Sequence, residues 1–211
     1  MPTIALVFTG HRECGLCNAG ELVKILRTIE PDVVFEETRP EDVETHWAMQ
    51  KLESQAIQRY AKVRSFIRVP VDRYGVLPDR TETQRVFDTV RQASEEYLWL
   101  QGENDEKQFE LGFKYLNSDA CTAIMERLSR IEESTIERVG DPALTRALET
   151  WRDLIQQRDR EMVANIYEYC RENAFSTGVF LVGAAHKASV TKETERRAAV
   201  ERGLIEWKAC V

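Results

Sequence analysis

No apolar stretch in this sequence approaches the roughly 18 residues that a membrane-spanning helix requires. The first residues, Met1-Pro2-Thr3-Ile4-Ala5-Leu6-Val7-Phe8, lack the basic start and the extended apolar run of a secretory leader. Lys and Arg are not in surplus either: the formal net charge is −7, and the arginines are interspersed with glutamates. Binding to phosphate backbones or to an anionic bilayer needs a concentration of positive charge, so neither nucleic acid nor a membrane is an expected partner. The five cysteines, at 14, 17, 121, 170 and 210, are an odd and scattered set. That pattern suits reduced thiols in a cytoplasmic protein better than a disulfide framework. Histidine is scarce, with only three in the chain.

What is present is ordinary for a globular chain. Of 211 residues, 43% are hydrophobic and 31% charged, enough apolar material for a sizeable core without help from a metal or a disulfide. The length suits one large domain or two small ones, and the reading adopted is a single domain over 1–211.

Thr3 to Thr9 is a short apolar run between Pro2 and Gly10 and reads as a buried strand. Leu22, Val23, Ile25, Leu26 and Ile29 recur at helical spacing, which predicts a helix over 19–29 stopped by Pro31. Val33, Val34 and Phe35 then give a second strand that closes in Glu36 and Glu37. Strand, helix and strand make a βαβ unit with parallel strands. Residues 42–63 read as helical, with Val43, Trp47, Leu52, Ala56 and Tyr60 on one side, and 65–71 as a third strand ending at Asp72. Pro70 predicts weak pairing at its end. Residues 81–172 hold no convincing strand and read as three or four helices, with breaks near Gly102–Asp105, Asn117–Asp119 and Gly140-Asp141-Pro142. Asp141 before Pro142 is a helix-start signal, and the helix after it is expected to be long. Strand 178–182, helix 189–201 and strand 204–211 complete the chain. The fold expected is therefore α/β: a mostly parallel sheet of about five strands. It would be built from two βαβ-like halves (1–80 and 173–211) flanking a helical insertion (81–172) that acts as a lid.

Two of the three histidines occupy equivalent places in the two halves. Each follows an apolar strand and a small-residue turn, Thr9-Gly10-His11 and Gly183-Ala184-Ala185-His186. Ligands of open α/β sheets bind outside the carboxyl ends of the strands, so both imidazoles are candidates for one site, as metal ligands or general base. Glu36 and Glu37 end a neighbouring strand. Successive residues there face opposite ways, so one of the two enters the site, and the sequence does not choose between them. Asp72, at a third strand end, is a candidate for binding a cofactor or ligand. His11-x-x-Cys14-x-x-Cys17 has zinc-like spacing but no second pair nearby, so an incidental or structural role is expected. His46, beside Trp47, reads as a helix-surface residue.

Gly183-Ala184-Ala185-His186, Pro31 to Glu37, Asp72-Arg73 and the segment Arg158-Asp159-Arg160-Glu161-Met162 occur in an order that resembles the TraB, ChaN-like, Tiki and erythromycin-esterase superfamily. The matches spread over nearly the whole chain. The resemblance implies that His11, Glu37 (or Glu36), Arg158 and His186 line one pocket. It also implies a metal-dependent protease-like, an esterase or a haem-binding activity. The chain departs from the pattern at Phe8-Thr9-Gly10-His11, where Phe stands in place of the first glycine and Gly10 is left to supply the tight turn.

Three functions follow as expectations. The first is a hydrolase of an ester or amide bond, acting on a small molecule or a peptide. His11, Glu37 and His186 would hold a divalent ion such as Zn, Mn or Co, a second carboxylate would serve as base, and Arg158 would meet the oxyanion. A metal-free form would use a histidine as base to water, oriented by the glutamate. The second is a module that binds haem or another small ligand without turnover. The third is a scaffold that has lost its chemistry, which the altered first motif favours.

Overall fold

The computed structural model describes residues 1–48, 51–72 and 80–209, with the side chains of 46, 47 and 80 outside that description. The expectations for His46, Trp47, Arg73 and the last two residues therefore fall outside it. Among the described residues five strands form one sheet: β1 (Thr3–Thr9), β2 (Val33–Glu36), β3 (Ile67–Pro70), β4 (Thr177–Gly183) and β5 (Glu206–Ala209). All pairings are parallel and the spatial order is β3-β2-β4-β1-β5. A parallel sheet carries helices on both faces, so its inner strands read as unbroken apolar runs. Accordingly Ile4 to Phe8, Val33 to Phe35 and Val179 to Val182 are all buried. β3 and β5 are the edges, where exposure returns and Pro70 is tolerated.

β1 and β4 lie side by side in register, Thr9 opposite Gly183. From β1 the chain crosses through α1 (Ala19–Ile29) to β2, passing over β4. From β4 it crosses through α9 (Lys187–Val200) to β5, passing over β1. The two crossovers leave in opposite directions, so the two halves interleave, and β1 and β4 flank a topological switch point. That is where open α/β sheets form a ligand crevice. With the usual right-handed connection the two helices fall on opposite faces. They pack against different neighbours, α1 on α3 (Leu52–Ala61) and α9 on α8 (Pro142–Glu172).

The helical region comprises α4 (Arg80–Ala93), α5 (Glu95–Leu111), the single turn α6 (Phe113–Leu116), α7 (Asp119–Val139) and α8. Among the described residues it contains no strand. Two of the three expected breaks are present, at Asn117–Asp119 and at Gly140–Pro142, where the Asp141 side chain accepts the Ala143 N–H at 2.8 Å. The break near Gly102–Asp105 is absent. α5 runs straight through it, starting at Ser94, whose hydroxyl caps Tyr97 N–H, and ending at Gly112 with φ of +56°. Gly102 faces open space and costs only helix propensity, about 1 kcal/mol. The 42–63 segment is likewise divided, into a 3-10 turn, α2 (Val43–Ala48) and α3. Asn117 ties this helical region to the sheet: its amide accepts from Phe8 N–H at 2.9 Å and donates to Phe8 O at 3.0 Å, next to the end of β1. Among the described residues no helix is long and apolar enough to cross a membrane.

Candidate active site

His11 follows β1 by two residues and His186 follows β4 by three, so both leave the same rim of the sheet. Between them stands Glu37, just past the end of β2. His186 Nε2 lies 3.2 Å from one Glu37 oxygen and His11 Nε2 lies 3.9 Å from the other. Gly183 N–H donates to the second oxygen at 2.8 Å, and Arg158 Nη2 reaches the first at 3.4 Å. The same guanidinium holds Asp72 at 2.7 Å, so α8 clamps the ends of two strands with one side chain. His11, Glu37, Arg158, His186 and Asp72 are thus brought together. Glu36 is not: its carboxylate makes a two-pronged pair with Arg68 of β3, at 2.6 and 2.9 Å. Strand alternation, which left the pair open, is resolved in favour of Glu37.

Gly183 is required for this approach. A Cβ there would lie 2.9 Å from His11 Nε2 and 3.3 Å from Glu37. Gly10 does not take a positive φ. It supplies space instead, since a Cβ would meet the Gln108 amide at 2.4 Å.

Two carboxylates that the sequence reading did not assign complete the site. Asp159, wholly buried on α8, lies 2.6 Å from His186 Nδ1. Its signal was available: Asp159, Met162, Val163 and Ile166 share one buried stripe, and a carboxylate in an apolar stripe demands a partner. Glu53, on α3, lies 3.2 Å from His11 Nδ1 and accepts from the Thr9 hydroxyl at 2.5 Å. Nothing local in the sequence marks it, because only the packing of α3 brings it to the end of β1.

Both histidines have raised pKa values, from different surroundings. Burial opposes a positive ring at His186, but the Glu37 carboxylate and the Asp159 hydrogen bond outweigh it and push its pKa up to about 10. It is therefore an imidazolium at neutral pH. Burial likewise opposes ionisation of Glu37, yet the charge and hydrogen bond of His186, followed by His11 and Gly183 N–H, hold its carboxyl far below the usual range. His11 is half-exposed. Its pKa is raised by the Glu53 hydrogen bond against the effect of burial, with Glu37 adding to the rise. A carboxylate only accepts hydrogen bonds, so neutral His11 carries its proton on Nδ1 toward Glu53 and keeps a lone pair on Nε2.

This donor set does not fit a metal ion. Glu37 already accepts from Gly183 N–H and Arg158, and His186 Nδ1 is held by the buried Asp159. Among the described residues no three His, Cys, Asp or Glu side chains are disposed to hold one. Cys14 and Cys17 pair with each other through two backbone hydrogen bonds of 2.8 Å, in a turn that docks on α5 through Leu16 N–H to Phe109 O. Burial pushes the Cys17 thiol up to about 11, unlike a thiolate ligand.

Two spaces adjoin the site. A cavity of about 20 Å³ is lined by His11, Glu36, Glu37, Thr38, Glu53 and Leu181, which is room for one water. On the other side a cleft of about 950 Å³ opens between the site and the helical region. His11, Glu37, Arg158 and His186 line its floor, together with the first turn of α9. Comparison with family models, with curated proteins and with solved structures returns no match.

Proposed function

We propose that this protein is a metal-independent hydrolase of an ester or amide bond in which His11 is the general base to water. One observation carries the reading: His11 Nδ1 is held by Glu53 at 3.2 Å while Nε2 faces Glu37 at 3.9 Å, so the neutral ring would present its lone pair beside a carboxylate that cannot itself serve as base. Glu37 is too weakly basic to take a proton, so its part is to orient the water and to stabilise the imidazolium that forms on His11. Water lying between His11 Nε2 and Glu37 attacks the substrate carbonyl carbon, and its proton passes to Nε2. The tetrahedral intermediate expels an alkoxide or amine, which takes that proton back from His11. Acid and alcohol (or amine) leave, and the site is restored.

Arg158 was expected to meet the oxyanion. Its donors face Asp72 and Glu37, so its part here is to hold the carboxylate. The oxyanion is assigned to the positive end of α9, where the His186 side chain makes no capping bond; the Lys187 N–H takes no part, since it donates to Ala184 O. The order of motifs supports membership of the TraB, ChaN-like, Tiki and erythromycin-esterase superfamily. The free thiols of Cys17, Cys121 and Cys170 fit a cytoplasmic protein. A haem ligand is disfavoured, since on the cleft wall the acids Asp105, Glu126, Glu132 and Glu133 outnumber the cations Arg152, Arg158 and Lys187.

The test is a screen of purified protein against ester, lactone and peptide substrates, after chelation and again with added divalent ions. Turnover that chelation leaves unchanged is expected. No turnover on any of the three classes would contradict the hydrolase reading, and turnover only with added metal would contradict the role given to His11.

A further inference from the structure

The cleft above the site has a volume in the range of pockets that enclose a whole small molecule, about 300–1,000 Å³. Its walls are of two kinds. Phe87 of α4 and Trp151 of α8 meet edge to face at 6.3 Å, and Met125 and Ile155 extend that apolar surface. The charged groups do not balance. Arg152 and Arg158 on the wall are paired with carboxylates, Glu133 for the first and Asp72 and Glu37 for the second, which leaves Lys187, held by the Ser118 carbonyl at 2.6 Å, as a single charge against the acids described next. Asp105 on α5 and Glu126 on α7 are exposed to the cleft, and neither has an ion pair among the described residues. The net charge of −7 adds a long-range field of the same sign. Phosphorylated and carboxylated ligands are repelled from such a trough. A cation set on an apolar body is drawn into it, by the two free acids and by the faces of the aromatic rings.

We propose that the cleft selects substrates that carry a protonated or quaternary amine on an aromatic or aliphatic body, with the ester or amide bond reaching His11. The reaction rests on the hydrolase reading; the charge selection does not. The experiment is calorimetric titration of the intact protein with three matched probes: phenylpropyltrimethylammonium, its uncharged carbon isostere, and phenylbutyrate. The cation is expected to bind about tenfold more tightly than the isostere, as cation–π contact and partly screened ion pairs together allow. The preference should narrow as salt rises. Asp105→Asn with Glu126→Gln, both at exposed helix positions, should abolish most of it. Equal or tighter binding of the isostere or of phenylbutyrate overturns the proposal. So does a preference that survives the double substitution, or failure of all three probes to bind. Binding of the cation without hydrolysis of its esters would retain this inference and sink the hydrolase. Hydrolysis of neutral and cationic esters alike would do the reverse.

Discussion

His11 and His186 face opposite oxygens of one carboxylate, and the groups behind them set their charge. Asp159 and Glu37 hold His186 as a cation, while the Glu53 hydrogen bond raises the pKa of His11 above its ordinary value. A rate that needs neutral His11 rises with pH through a midpoint above 6.5, the ordinary imidazole value. Glu53→Gln removes the largest influence raising that pKa but keeps an oxygen for Nδ1–H. The kcat/KM profile of that variant should shift toward lower pH, and an unmoved midpoint would contradict the assignment. His186 makes the opposite kind of prediction. Its folded pKa, about 10, lies above the unfolded 6.5, so its contribution to stability is fully present below 6.5 and is lost as pH rises through 10. Tm should fall across that window, and Asp159→Asn should start the fall at lower pH. A Tm that is flat from 6.5 to 10 would contradict the charged ring. At this scale His11, His186 and Glu37 were legible because each follows an apolar strand at its carboxyl end. Glu53 was not, since no local pattern says which helix packs over β1.

At the scale of elements, the site is made by the register of β1 on β4 and by one long helix laid across their ends. Gly183 sits where the strands and the site meet. Gly183→Ala would drive a methyl group against His11 and Glu37. It should cost about 1–3 kcal/mol of stability but on the order of a hundredfold in rate, because small misplacements of reacting groups are expensive. A folded Gly183→Ala protein with full activity would show that this approach does not matter. Arg158 joins α8 to the buried Asp72 and the largely buried Glu37. Arg158→Gln should destabilise by about 3–5 kcal/mol, as loss of one partner from a buried pair does, measured by urea unfolding. α8 itself was readable from Asp141-Pro142 and its apolar spacing, and α1 to the residue from its spacing and Pro31. The false break inside α5 arose from treating Gly102 as punctuation. An isolated glycine weakens a helix without ending it, and Ser94 and Gly112 are the true limits.

For the whole molecule, the decisive feature is that the two ends of the chain interleave. The matching halves 1–80 and 173–211 predict that their first strands pair side by side and parallel, as β1 and β4 do; periodicity does not say on which side of β1 the strand β4 enters, which is between β1 and β2. That insertion places the two histidine turns at the switch point, under a helical region whose walls enclose the cleft. In the proposed hydrolase the sheet would supply the reacting groups and the helices the surface that a substrate meets, the usual division between scaffold and variable connection. The most direct test of this account is the hydrolytic rate of His11→Ala beside the parent protein. It would use the best substrate from the screen, in chelator, with circular dichroism confirming that both are folded. Loss of a positioned general base predicts a fall of roughly 10²–10⁴-fold. A folded His11→Ala protein that keeps the parent rate would contradict it.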